Sequence, residues 1–336
     1  MNRFGGDLNT GIVYGVINDS VFGKPNSGYA FALRERIHAD CRFSRDLFET
    51  IFYGNKKFAG QNASLGNFNF NYLDYQQVSF SWIRTISNHT FGAGLSFLKG
   101  FRGINITADK ANLFTQENGE FLDFDMQATM HRTDSTKIDY MNLNGIGTSI
   151  DLSYIYSKNP MSRFTMEVCD AGFIWWNKQS SLTTIDTAAH FEGVEVKDIL
   201  KFDSLGNKTS SDSITIQDIL KESKYASYRS TLPMDIRISY ERIMKGRWKI
   251  FYGVRYMLFA NYFPEAKLYL SYFVTPRFTI TTGESFGGYS KFNTGIGATK
   301  EFKNGWSLSA NSAFIDGYLL QKKTGQGFYC SIKKTF

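Results

Sequence analysis

Proline, cysteine and histidine are scarce in this chain of 336 residues, at 5, 3 and 4 copies, and no run of about 18 apolar residues occurs in it. The missing apolar runs exclude a helical membrane protein. The three cysteines, Cys41, Cys169 and Cys330, are far apart and odd in number, with no CxxC or Cys/His spacing for a metal. Three packed, free thiols are expected, and a disulfide between two of them stays open. Basic clusters are absent too. The net charge is +7, yet the longest local runs are Lys322-Lys323 and Lys333-Lys334, which excludes the stripe or tail of a nucleic-acid binder. The start, Met1 to Gly6, lacks the basic and apolar stretches of a secretory signal. Either the protein is not exported, or the numbered chain is the mature one.

Aromatic residues are plentiful: 31 Phe and 19 Tyr, with 30 Gly, in a chain whose mean hydropathy is only −0.28. A disordered chain does not carry so many. The apolar residues must therefore be diluted, position by position, with polar ones. Residues 29–43 show how. The odd row reads Tyr29, Phe31, Leu33, Glu35, Ile37, Ala39, Cys41, Phe43, and the even row Ala30, Ala32, Arg34, Arg36, His38, Asp40, Arg42. Period two over such a length predicts a strand with one apolar and one polar face. Glu35 interrupts the apolar row, where a bulge or local water access is expected. The same alternation recurs at 146–156, 234–241, 248–258, 268–274, 278–282, 292–298, 306–310 and 328–332.

These strands reach about 10 residues or more, the length a tilted strand needs to cross a bilayer. Aromatics gather at their ends (Trp82, Tyr154, Tyr156, Phe164, Trp248, Phe273, Phe278, Trp306), as interfacial girdles require. The last strand closes on Phe336, a terminus that resembles the assembly signal of bacterial outer-membrane barrels, although Lys334 stands where a second apolar residue is usual. The expected fold is all-β: one closed antiparallel transmembrane β-barrel over 1–336, of about fourteen strands (twelve to sixteen). Short turns at 87–89, 158–160, 245–246, 275–277 and 303–305 alternate with long connections at 44–66, 103–143, 177–228, 260–265, 287–291 and 315–326. Short turns belong to the periplasmic side and long loops to the outside.

Counting back from a periplasmic C-terminus gives crossings near 328–336, 306–315, 291–302, 278–287, 266–274, 247–259, 230–244, 162–175, 144–157, 90–102, 75–86, 29–43 and 8–17. Thirteen is odd, and single-chain bacterial barrels are even. One further strand upstream of Met1 is expected, and direct pairing of 8–16 with the last strand would contradict it. Outside the wall, Ser44 followed by Arg45–Phe52 predicts a capped amphipathic helix. The extended extracellular segments 103–143 and 177–228 are polar, the second with helical turns at Val196–Leu200 and Ile216–Leu220.

Several stretches carry a family resemblance: Phe91–Gly100 followed by Ile104-Asn105-Ile106, Asp170–Trp176, Tyr228–Pro233 and the Arg45–Asn55 segment. Together they resemble a Bacteroidota-type group of outer-membrane barrels, itself similar to the long-chain fatty-acid transporter class and to the barrels of type IX secretion. The resemblance covers the chain from about residue 7 onward. It implies an exported protein and carries over no catalytic or binding residue.

The densest charge falls on the predicted lumen row: Arg34, Arg36, His38, Asp40 and Arg42, joined by Glu167, Asp235, Arg237, Glu241, Lys249 and Arg255. A ring of one sign would select ions. Here both signs interleave, which favours a network that fills the lumen over an anion-selective constriction. No catalytic activity and no cofactor are expected. Of the histidines only His38 falls in the lumen, nothing holds His131 or His190 to Ser135 or Ser180-Ser181, and no glycine-rich phosphate loop opens a helix. Two functions remain. The interleaved charge and large loops favour an anchoring barrel that holds a surface protein, lipoprotein or secretion-related assembly. The alternative is a transporter or channel for small molecules, hydrophobic ones included. Outer-membrane lipid and lipopolysaccharide surround either one, and nucleic acid is no partner.

Overall fold

The computed structural model describes residues 1–21, 23–134, 142–192, 224–244, 246–319 and 325–336. The expected helical turns at 196–200 and 216–220 lie outside the described residues. Eighteen strands form one sheet: β1 (Asn2–Val21), β2 (Lys24–Phe43), β3 (Gln61–Ser64), β4 (Phe68–Ile86), β5 (His89–Thr115), β6 (Phe121–Arg132), β7 (Gly145–Asn159), β8 (Ser162–Trp176), β9 (Ser181–Glu192), β10 (Lys224–Tyr225), β11 (Tyr228–Thr231), β12 (Met234–Ile243), β13 (Trp248–Leu258), β14 (Phe263–Thr275), β15 (Phe278–Gly288), β16 (Ser290–Glu301), β17 (Trp306–Ser312) and β18 (Tyr329–Lys334).

All the strand ladders are antiparallel. A continuous series runs β1-β2-β4-β5-β7-β8 and then β12 through β18. Eighteen strands replace the expected fourteen or so because five further segments (β3, β6, β9, β10, β11) pair with the outer parts of β5 and β8 or with one another. The surplus comes mainly from segments read as loops: β3 from 44–66, β6 from 103–143, and β9 and β10 from 177–228. β5 runs on to Thr115, β6 pairs with that extension, and β9 pairs with β6, so a blade of sheet rises above the wall. Among the described residues no ladder joins β1 to β18, which bound the series.

The sheet curls round an interior. On its inner face β1 reaches across to the far strands: the Arg3 guanidinium lies 3.7 Å from the Phe263 ring centroid, and the Tyr289 ring packs against Gly5. Arg36 on β2 likewise meets Asp170 on β8, with three wall strands between them, at 2.9 Å.

Burial is inverted relative to a water-soluble sheet. The outward row carries exposed apolar side chains: Phe31 and Leu33 on β2, Leu95 and Phe97 on β5, Ile150 and Leu152 on β7, Val254 on β13 and Leu268 on β14. The inward row buries polar ones: His38, Asp40, Gln77, Ser79, Ser96, Ser149, Asp235 and Ser271. Aromatic residues of the outward row stand in register at the end with the short turns. Tyr156, Phe164, Tyr240 and Tyr252 face one another strand to strand, and Trp248 faces Tyr272 with ring centroids 4.9 Å apart. Cross-strand aromatic pairs of this kind add stability to a sheet.

Two local expectations are refined. β2 keeps its register through Glu35, with no bulge there. The irregularity falls on the neighbouring ladder, between Asp74 and Tyr75, where Phe101 of β5 is the extra residue. Glu35 faces the charge of Asp74, which lies 3.7 Å from Arg102. Helix α1 (Arg45–Tyr53) forms as its cap foretells, the Ser44 hydroxyl accepting from the Leu47 N–H at 3.0 Å. Among the cysteines all three are free, but only Cys41 is buried; Cys330 is exposed rather than packed.

Candidate functional site

The polar inward row of β2 carries the site. At its centre the His38 imidazole bridges Asp7 on β1 and Asp40 on its own strand, 2.7 Å on each side. Asp40 is fully buried and also accepts from Asn71 Nδ2 at 3.0 Å and from Asn261 in the β13–β14 connection. One step along β2, Arg36 forms a two-pronged pair with Asp170, at 2.9 and 3.3 Å, and donates to Gln77 at 3.1 Å. Gln77 passes the chain to Ser96 and Ser96 to Ser79. Opposite, Asp235 holds Arg237 at 2.5 Å and Arg255 at 2.9 Å. Lys267 pairs with Glu265 at 3.1 Å, and Tyr262 donates to that same carboxylate. Charge-assisted forks of this kind are the strong members of a polar interior.

The interior splits into two chambers. A 510 Å³ cup, lined by Arg42, Asn69, Asn71, Asn105, His131 and Tyr228 among others, lies at the end with the long connections. A 100 Å³ chamber lies beyond it, among Asp7, Arg36, Asp170, Asp235 and Arg255. His38 lines both. The cup is narrowed by residues 228–233. There Leu232 N–H donates to Gly172 O at 3.0 Å, and Tyr228 donates to Gly103 O at 2.8 Å. Beneath this segment lies an apolar cluster of Leu73, Tyr75, Leu98, Ile174, Trp176 and Leu232.

Of the residues expected in the lumen, Arg36, His38, Asp40, Asp235, Arg237 and Arg255 meet in the network, with Glu167 at its edge, 3.8 Å from Arg237. Arg34 faces the charge of Asp151 lower on the wall. Arg42 lines the cup without joining the network. Glu241 and Lys249 stand apart near the short turns, where Glu241 pairs with Arg163 at 2.6 Å and with Lys249 at 3.7 Å.

Sequence reasoning missed Asp7 and Asp170. Asp7 lies one residue before the strand start read from the alternation, in a strand that begins at Asn2. Asp170 stands on the parity of Met166 and Val168, which face outward. A bulge opposite Asp151 gives Asp170 a φ of 60° and turns it inward. Asn261 belongs to a turn with no period, and Gln77 carries no charge to mark it.

No curated protein matches the chain. Among solved structures it is similar to a deletion mutant of the monoaromatic hydrocarbon channel TodX, with 9% identity, 93% of this chain and 84% of that one covered, and a TM-score of 0.43. It is similar to the Pseudomonas putida toluene transporter TodX (9%, 93% and 83%, TM-score 0.39) and to the Ralstonia pickettii toluene transporter TbuX (8%, 93% and 83%, TM-score 0.38). The family of unknown function DUF5723 matches over residues 2–304, and the chain belongs to that family.

Proposed function

We propose that the chain is a non-enzymatic β-barrel of the bacterial outer membrane that admits small molecules from the cell exterior. The inverted burial supports the membrane, because an apolar outward row is stable against lipid and costly against water. In that setting the sheet edges must close. β1 and β18 run in the same direction in a thirteen-strand antiparallel series, so the further upstream strand that the odd count calls for would complete the wall between them. The short turns and the C-terminus then face the periplasm, and the cup faces out, ringed by lipid and lipopolysaccharide. The observation that carries transport is the pair of stacked chambers sharing His38. The Asp7–His38–Asp40 bridge acts as the constriction between them.

The blade of β5, β6 and β9 favours a second reading, in which the barrel anchors a surface protein or lipoprotein. Proteoliposome swelling separates the two. Transport predicts measurable uptake of small polar solutes, faster by roughly 10-fold in His38→Ala, where the bridge is gone. Vesicles that stay tight with both proteins, together with a stoichiometric partner co-purifying from native membranes, would establish the anchor instead.

A further inference from the structure

We infer that the cup binds a sugar acid, a polyhydroxylated monocarboxylate of one or two rings. This rests on the reading that the cup faces outward and admits small molecules. Its volume of 510 Å³ lies within the range of about 300–1,000 Å³ usual for small-molecule pockets.

The carboxylate is called for by two arginines. Arg42 lines the cup, and Arg3 stands directly across the β1–β2 ladder from it. Like charges facing each other on neighbouring strands repel. Arg36, Arg237 and Arg255 each have a carboxylate at 2.5–2.9 Å. Among the described residues Arg3 and Arg42 have none, and the Nε of each lacks a hydrogen-bond partner. A carboxylate in the cup on the Arg42 guanidinium relieves that repulsion, with Arg3, resting on the Phe263 ring across the ladder, adding its charge from behind. Asp40, on the same wall, does not fill the role, being engaged by His38, Asn71 and Asn261.

Hydroxyls are called for by the amides. Asn105 donates to Asn71 at 2.6 Å, Asn71 to Asn69 at 2.9 Å, and Asn261 to Asn69 at 2.6 Å. This ladder fixes the orientation of each amide and leaves the Asn105 carbonyl and second N–H outside it. Such a donor beside an acceptor suits vicinal hydroxyls. Tyr228 and His131, stacked at 4.9 Å, offer a flat face for a sugar ring. A hydrocarbon in the same place would bury Arg42 and these amides without partners, which is costly.

Titration calorimetry on the full chain in detergent tests the site, with D-glucuronate as the probe and D-glucose as its neutral counterpart. Glucuronate is expected to bind at least 10-fold more tightly than glucose. Arg42→Gln and Arg3→Gln are each expected to weaken glucuronate at least 10-fold and leave glucose within 2-fold, and Arg42→Lys to lose less than Arg42→Gln. Absence of glucuronate binding, equal affinity for glucose, or an unchanged Arg42→Gln would overturn the proposal. If Arg42→Gln fails to fold, Asn105→Asp sets a carboxylate on the cup wall and must discriminate against glucuronate in the same direction. Loss of binding with solute swelling intact refutes the site alone. Binding without swelling refutes transport alone.

Discussion

Trp176→Ala is expected to destabilise the folded chain by about 3–5 kcal/mol, in the range for truncating a fully buried tryptophan. The side chain is 1% exposed, and its ring is cradled by glycines. A Cβ placed on Gly100, Gly103 or Gly145 would come within 2.5, 2.5 or 2.7 Å of the indole. The wall strands have thus given up side chains to seat one ring, and alanine leaves a void that no neighbour can fill. The indole N–H also donates to Ser230 at 2.8 Å, and the ring stacks on Tyr228 at 5.9 Å, so the 228–233 segment loses its floor. A lower urea midpoint of the protein refolded in lipid, read by its heat-modifiable gel shift, would show this. An unchanged midpoint would mean that the cluster is not a core.

The second large effect is expected at Asp235. Its side chain is 6% exposed and serves both Arg237 and Arg255. Asp235→Ala takes the shared carboxylate from both guanidiniums and leaves Arg237 only Glu167, 3.8 Å away. Removing one partner of a buried pair costs about 3–5 kcal/mol. The lower end applies here, because the Arg237 side chain is 47% exposed and regains water. The same change breaks the network across the second chamber, so solute leak in vesicles should rise with the loss of stability. Arg255→Met placed on the Asp235→Ala background should restore part of the stability, since it removes an orphaned charge and keeps the volume. Asp235→Ala with wild-type stability and wild-type leak would show that the network neither braces nor blocks the interior.

The wall was legible because its signal is periodic. Phe31 and Leu33 face out and Arg36 and His38 face in wherever the alternation runs unbroken. The thirteen crossings counted from turns match the thirteen strands of the continuous series. Legibility ended where the period ended. Asp170 was invisible because a bulge reversed the parity of β8. β6 and β9 were hidden in polar segments, where neither face is apolar enough to mark a strand. Which luminal charges meet was also beyond the sequence. Arg36 and Asp170 are 134 positions apart, and only the curl of the sheet brings them to 2.9 Å. Glu241 and Lys249 share the parity of the network but not its height along the wall, so alternation alone placed them in a cluster they do not join.

Single-cysteine labelling along one outward and inward pair of rows tests the membrane reading most directly. Cysteines at Leu95, Phe97, Ile150 and Leu152, on a background lacking Cys41, Cys169 and Cys330, would carry a spin label in lipid vesicles. Those four positions should collide with membrane-dissolved oxygen and be shielded from an aqueous paramagnetic nickel complex. Labels at Ser96 and Ser149, one residue away, should lose the lipid signature. If the four outward positions meet the aqueous reagent as readily as a label at Asn118 on the β5–β6 turn, the apolar row does not face lipid and the barrel reading fails.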